Sequence, residues 1–259
     1  MTVVSLSVHD EQVPTGLGMR SPLFGRADDL ELLARAVGLG EQDPKATGVL
    51  LSGDAGVGKT RVLTELAAVA GAAGWRVVTG HCLDFGESTL PYLPFTEMFG
   101  RLATDEPELA ATLMDNNHAV ARLMPGQRRF TADEGPHQVE PLDRAQLFES
   151  VHLAMSRLSE VAPLLVVIED VHWADRSTRE MLSFLFTRQT LGPAAVVASY
   201  RGDDLHRRHP LRATVAEWSR LPQVYRHSLR PLEDDDVRSL VRALHPAPLP
   251  ERDLMTIIE

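Results

Sequence analysis

Four short apolar runs organise the chain: TGVLLSG (47–53), RVVTGHCL (76–83), LLVVIED (164–170) and AAVVASY (194–200). Each has the length of a strand and little polar alternation, which predicts strands buried on both faces of a sheet. A weaker candidate is VYRHSL (224–229). Between them the apolar positions change to helical spacing. ADDLELLARAVGLG sets Leu30, Leu32, Leu33, Ala36 and Val37 at that spacing, with acids in the first turn and Gly38 and Gly40 to stop it. Further helices are predicted from about Lys59 to Ala70, near 94–103, 107–114 and 116–124, and over 144–161. STREMLSFLFTRQ, HPLRATVAEWSRL and PLEDDDVRSLVRAL complete the set. Apolar strands alternating with helices predict an α/β fold whose parallel sheet is covered on both faces.

The remaining stretches are polar. Residues 1–20 read as a loose leader, and PGQRRFTADEGPHQVEP (125–141) reads as a long loop. Asp plus Glu total 36 against 26 Lys plus Arg, a formal net charge of −10, and no run of Lys and Arg marks a basic groove. Direct, non-specific binding of nucleic acid by this segment is therefore not expected. The single cysteine, Cys82, excludes an internal disulfide and fits a reducing compartment. With His81 beside it but no second ligand pair at metal spacing, a buried thiol is the expectation. No stretch approaches the roughly 18 apolar residues of a membrane span. The N-terminus lacks the pattern of a signal peptide, so a cytoplasmic location and no membrane partner are expected.

The chemistry enters at GDAGVGKT (53–60), a full match to G-x-x-x-x-G-K-[ST] between an apolar strand and a helix. Gly53, Gly56 and Gly58 let the backbone wrap so that N–H groups face an anion, and the helix N-terminus adds partial positive charge. The candidate nucleotide-binding residues are Gly53, Asp54, Ala55, Gly56, Val57, Gly58, Lys59, Thr60 and Arg61. Lys59 is placed to reach the β- and γ-phosphates, and the Thr60 hydroxyl to ligate Mg²⁺. No N-K-x-D motif occurs, which favours adenine over guanine and ATP/ADP as the nucleotide.

Such a site needs an acid at the end of a neighbouring strand to hold Mg²⁺. LLVVIED supplies Glu169 and Asp170, and strand alternation means that they cannot both face the nucleotide in the same way. One is assigned to magnesium, and the other to the attacking water or to a neighbouring strand, in an order left open. Asp175 precedes RSTRE, where it or Ser177 can cap the next helix, and is better read as that cap. Trp173 is expected in the core rather than stacked on a base, and His172 as a hydrogen-bonded histidine rather than a polar reporter near the phosphates. Arg201 ends the AAVVASYR run, where it either contacts a γ-phosphate at the carboxyl edge of the sheet or is simply solvated.

In order, LFGRADDLELL, GDAGVGKT, GHCLDFGESTLPYLPF, LLVVIEDVHWAD, VVASYR and LRPLEDDDVRSLV resemble the ATPase domain of the STAND class within the AAA+ group. The likeness covers about residues 20 to 259 and is strongest to the MalT-like, large ATP-binding LuxR-type transcriptional regulators of actinobacteria. It implies a P-loop NTPase core over 21–229, five parallel strands with the Arg201 strand between the P-loop strand and LLVVIED, and the start of a helical lid over 230–259. It implies that Phe24, Gly25 and Arg26 lie near the adenine and that Arg201 is the γ-phosphate sensor. It also implies a slow ATPase acting as a switch: ADP holds a closed monomer, while ATP with an inducer, acting through C-terminal regions not in this chain, permits self-association. Glu169 departs from the aspartate that many relatives carry. The competing expectations are an AAA+ motor or loader working as an oligomer and, more remotely, a P-loop small-molecule kinase.

Overall fold

The computed structural model describes residues 23–40, 47–84, 86, 90–115, 117–123, 141–190, 192–205, 209–245, 249, 250, 252 and 255. The expected leader and residues 125–140 of the loop expected over 125–141 lie outside these residues, while Pro141 opens a helix instead. The chain falls into two compact units, one spanning Gly25–Leu232 and a smaller one made of the described residues on either side of it.

The larger unit is built on five parallel strands: β1 (Gly48–Gly53), β2 (Arg76–His81), β3 (Leu164–Glu169), β4 (Ala194–Arg201) and β5 (Val224–Ser228). Their order across the sheet is β2-β3-β4-β1-β5, with every neighbouring pair parallel. All six residues of β3 are buried, which is why its sequence shows no polar alternation. Register aligns the carboxyl ends of neighbouring strands. Gly53 of β1 pairs with Arg201 of β4, and His81 of β2 pairs with Glu169 of β3. In an open parallel sheet that edge is where ligands collect.

Side chains alternate across the sheet. Leu50, Val166, Ile168, Val196 and Ala198 face one cluster, formed with α3 (Leu93–Asp105), α6 (Pro141–Val161) and α7 (Arg176–Phe186) through Phe95, Phe99, Met155 and Leu182. The alternate strand residues Val49, Leu51, Leu165, Val167 and Val197 are equally buried. Against them stand α1 (Ala27–Val37) and α2 (Lys59–Ala72), whose buried residues include Leu33, Val37, Leu63 and Leu66. Leu32, expected on the apolar face of α1, is 41% exposed instead. The remaining helices of the larger unit are α4 (Pro107–Asp115), the single turn α5 (His118–Ala121) and α8 (Pro210–Trp218). α8 seats Trp218 edge-on against Phe186, with ring centroids 5.0 Å apart. In the smaller unit, α9 (Asp234–Leu244) carries three acids in its first turn and Arg242 in its last, matching the helix dipole at both ends. Among the described residues no helix is long and apolar enough to cross a membrane.

Candidate nucleotide site

The loop between β1 and α2 turns on glycine. Gly56 and Gly58 have φ of 76° and 100°, a left-handed geometry that side chains with a Cβ resist. Gly58 is the N-cap of α2 and no side chain caps that end. The first-turn N–H groups therefore keep their hydrogen-bonding capacity for an anion. Lys59 is 7% exposed and its Nζ donates to the carbonyls of Gly53 and Asp54, each at 2.8 Å. Burial pushes its pKa down and the Asp170 carboxylate works in the opposite direction. The ammonium is thus folded back on its own loop and held by carbonyl dipoles.

Arg26 secures the loop from behind. Its guanidinium is buried and donates to the carbonyls of Val57 at 3.0 Å and Arg230 at 2.7 Å, and to the Asp29 carboxylate at 3.1 Å. Gly25, with φ of 60°, opens the larger unit, whereas Phe24 belongs to the smaller one. Arg61 on the first turn of α2 pairs with Glu65 at 3.2 Å.

The two acids after β3 are separated by backbone conformation. Glu169 is the last strand residue, 7% exposed, and one of its oxygens accepts the Thr60 hydroxyl at 2.7 Å. Asp170 lies beyond the strand with φ of 57° and ψ of 44°. Strand alternation therefore stops at Glu169, and Asp170 is aimed by a turn whose N–H donates to Ser199 Oγ at 3.2 Å. Asp175 caps α7, accepting from the N–H groups of Ser177 at 2.7 Å and Thr178 at 3.2 Å and from the Thr178 hydroxyl, as the capping pattern predicts.

Several neighbours escaped sequence reasoning. The other oxygen of Glu169 is 3.9 Å from His81 Nε2, and His81 Nδ1 meets Glu97 of α3 at 2.9 Å. Only the β2–β3 register discloses this, because His81 is remote in sequence from Glu169. Arg201 Nη1 lies 3.8 Å from Asp204, and His172 is 4% exposed with neither ring nitrogen hydrogen-bonded. The expectation of a hydrogen-bonded His172 is thus corrected. So is that of a core Trp173, which is 41% exposed, because the short 3-10 turn Val171–Trp173 directs Val171 and His172 inward and Trp173 out. Cys82 is buried, and burial with nearby carboxylates drives its thiol pKa strongly upward.

A five-stranded parallel sheet with this glycine loop between β1 and α2, and an acid of β3 on the loop threonine, defines a P-loop NTPase fold. Residues 22–197 match the family model described as AAA ATPase domain. The chain belongs to that family. An uncharacterized protein of Rhizobium meliloti (strain 1021) is 26% identical over 239 residues, covering 88% of this chain and 22% of that protein. The chain thus spans about a fifth of the length of the curated relative it matches. Among solved structures, a STAND protein with a tetratricopeptide repeat sensor from Pyrococcus horikoshii aligns at TM-score 0.46 and 16% identity, covering 93% of this chain and 29% of that one. AMPPCP-bound DnaA from Aquifex aeolicus aligns at TM-score 0.44 and 13% identity, covering 90% and 55%.

Proposed function

We propose that this chain is an ATP-binding switch module with slow hydrolysis, belonging to a LuxR-type transcriptional regulator whose DNA-reading part lies outside residues 1–259. One observation carries the nucleotide reading: the Thr60 hydroxyl and the Glu169 carboxylate, 109 residues apart in sequence, meet at 2.7 Å beside the loop. A hydroxyl and a carboxylate are hard oxygen donors of the kind magnesium takes together with water and phosphate oxygens. Thr60 and Glu169 are the residues that would hold Mg²⁺, which supplies charge neutralisation to the phosphates when bound.

In this assignment the backbone of Gly53 to Thr60 cradles the phosphates, and Lys59 exchanges its loop carbonyls for phosphate oxygens. Asp170, 39% exposed at its side chain and turned out of the strand, orients the attacking water. Arg201, paired in register with Gly53, senses the γ-phosphate. Arg26, through Val57, sets the loop's position on the adenine side with Gly25, and Asp54, Ala55, Val57 and Arg61 complete the lining. ADP would hold the closed monomer and ATP would permit self-association, under an inducer sensed elsewhere in the protein. The motifs quoted above, in their order, support the regulator assignment.

Titration calorimetry with ADP and with ATP plus magnesium tests the core of this. Both bind the wild-type chain, and Lys59→Ala weakens ATP at least tenfold. Absence of binding by either nucleotide, or full affinity in Lys59→Ala, overturns the assignment.

A further inference from the structure

Asp204 Oδ2 is buried and has no hydrogen-bond partner. Two donors flank it, each just out of bonding range: Arg201 Nη1 at 3.8 Å and His172 Nε2 at 3.6 Å. The His172 ring is 4% exposed and Trp173 tilts against it with centroids 5.0 Å apart. Its other nitrogen, Nδ1, faces Asp170 Oδ1 at 3.8 Å. A buried carboxylate oxygen requires a donor, and a neutral imidazole has one to offer. One carboxylate therefore sits between an arginine and a histidine, with room to draw in either.

We propose that His172 is a positioning residue that releases Arg201 from Asp204 to meet the terminal phosphate of ATP. The proposal rests on the assignment of Arg201 as γ-phosphate sensor made above. Without that phosphate, the guanidinium is held near Asp204 by charge. When the phosphate draws Arg201 away, the buried oxygen Oδ2 of Asp204, whose side chain is otherwise 39% exposed, would be left without a donor, which opposes the movement. His172 removes that obstacle by donating its Nε2–H to the same oxygen. In that tautomer Nδ1 turns a lone pair toward Asp170, leaving the Asp170 carboxylate free to accept from water. The pair His172–Asp204 closes as the pair Arg201–Asp204 opens, so the discrimination between ATP and ADP includes a residue that touches neither.

The test is the ratio of affinities for AMPPCP and ADP, measured by calorimetry with magnesium on the wild-type chain and on variants. His172→Phe keeps the ring volume and removes the donor. It is expected to lower the preference for AMPPCP five- to tenfold with ADP affinity unchanged, and His172→Gln, which still donates, restores most of the loss. Asp204→Asn removes the charge that detains Arg201, so the preference rises, and adding His172→Phe in that background has little further effect. The proposal is overturned if His172→Phe leaves the ratio unchanged or weakens both nucleotides equally. A full-sized effect of His172→Phe in the Asp204→Asn background overturns it as well. Should His172→Phe not fold, an unaltered ratio in Asp204→Asn overturns it alone. Failure of the sensor assignment itself shows differently, as an Arg201→Ala variant with the wild-type ratio.

Discussion

Glu169→Gln separates the architectural contribution of this acid from its proposed role in the nucleotide site. Glu169 is 7% exposed, accepts the Thr60 hydroxyl at 2.7 Å and faces His81 Nε2 at 3.9 Å. Glutamine keeps the shape and an acceptor for Thr60 but removes the charge. A hydrogen bond to a charged group contributes about 1.5–3 kcal/mol and a neutral one about 0.5–1.5 kcal/mol, so roughly 1 kcal/mol is lost. Burying an amide instead of a carboxylate offsets part of that loss. At about 2–4 °C per kcal/mol for a domain of this size, the unfolding temperature without nucleotide stays within about 4 °C of wild type. Binding of Mg-ATP responds differently, because the carboxylate is assigned to the metal. A tenfold loss of affinity is about 1.4 kcal/mol. At a nucleotide concentration about 100 times the wild-type Kd, ligand stabilisation drops from about 2.7 to about 1.4 kcal/mol. The ATP-induced rise in unfolding temperature is therefore halved in magnesium, while the rise with ADP in EDTA stays at the wild-type value. A variant with the full wild-type shift in magnesium, or with equal losses in magnesium and in EDTA, refutes the reasoning.

Three further outcomes follow from the packing and the charges. Gly80 lies against α3 so closely that an added Cβ would stand 2.2 Å from the Pro94 carbonyl oxygen. Gly80→Ala is thus expected to cost about 1–3 kcal/mol, read as a lower unfolding temperature, and an unchanged one contradicts the packing. Asp175→Ala removes the cap of α7 and lowers stability in urea by about 0.5–2 kcal/mol, whereas Asp175→Asn retains most of it. Burial depresses the pKa of both His152 and His172 below the ordinary 6.5. As pH falls below that value the unfolded chain takes up protons that the folded one refuses, so stability declines on the acid side. Urea midpoints from about pH 7.5 down to about pH 5.5 should show the decline, with a shallower slope in His172→Phe. A slope identical to wild type removes His172 from the account.

The sequence by itself determined the strands, the phosphate loop and membership of the AAA ATPase family. Apolar runs without alternation admit only a sheet covered on both faces, and β3 meets that expectation with every residue buried. GDAGVGKT carries its own geometry because glycine spacing dictates where the backbone turns, and DRST announces a cap because its hydrogen bonds are local. Tertiary structure decided what depends on register and on the exit of a strand. Glu169 and Asp170 are adjacent letters, yet a left-handed turn at Asp170 gives the first to Thr60 and turns the second away from the strand's alternation. His81 reaches Glu169 only because β2 and β3 align at that row. Trp173 leaves its expected place in the core, and His172 is buried without its expected hydrogen bond, because a 3-10 turn follows the strand at Val171–Trp173. The junction of Arg201, Asp204 and His172 draws on the ends of two strands. Local patterns record what a segment does to itself, whereas the 3.6 Å between the remote side chains of His172 and Asp204 exists only once the sheet has set its ends side by side.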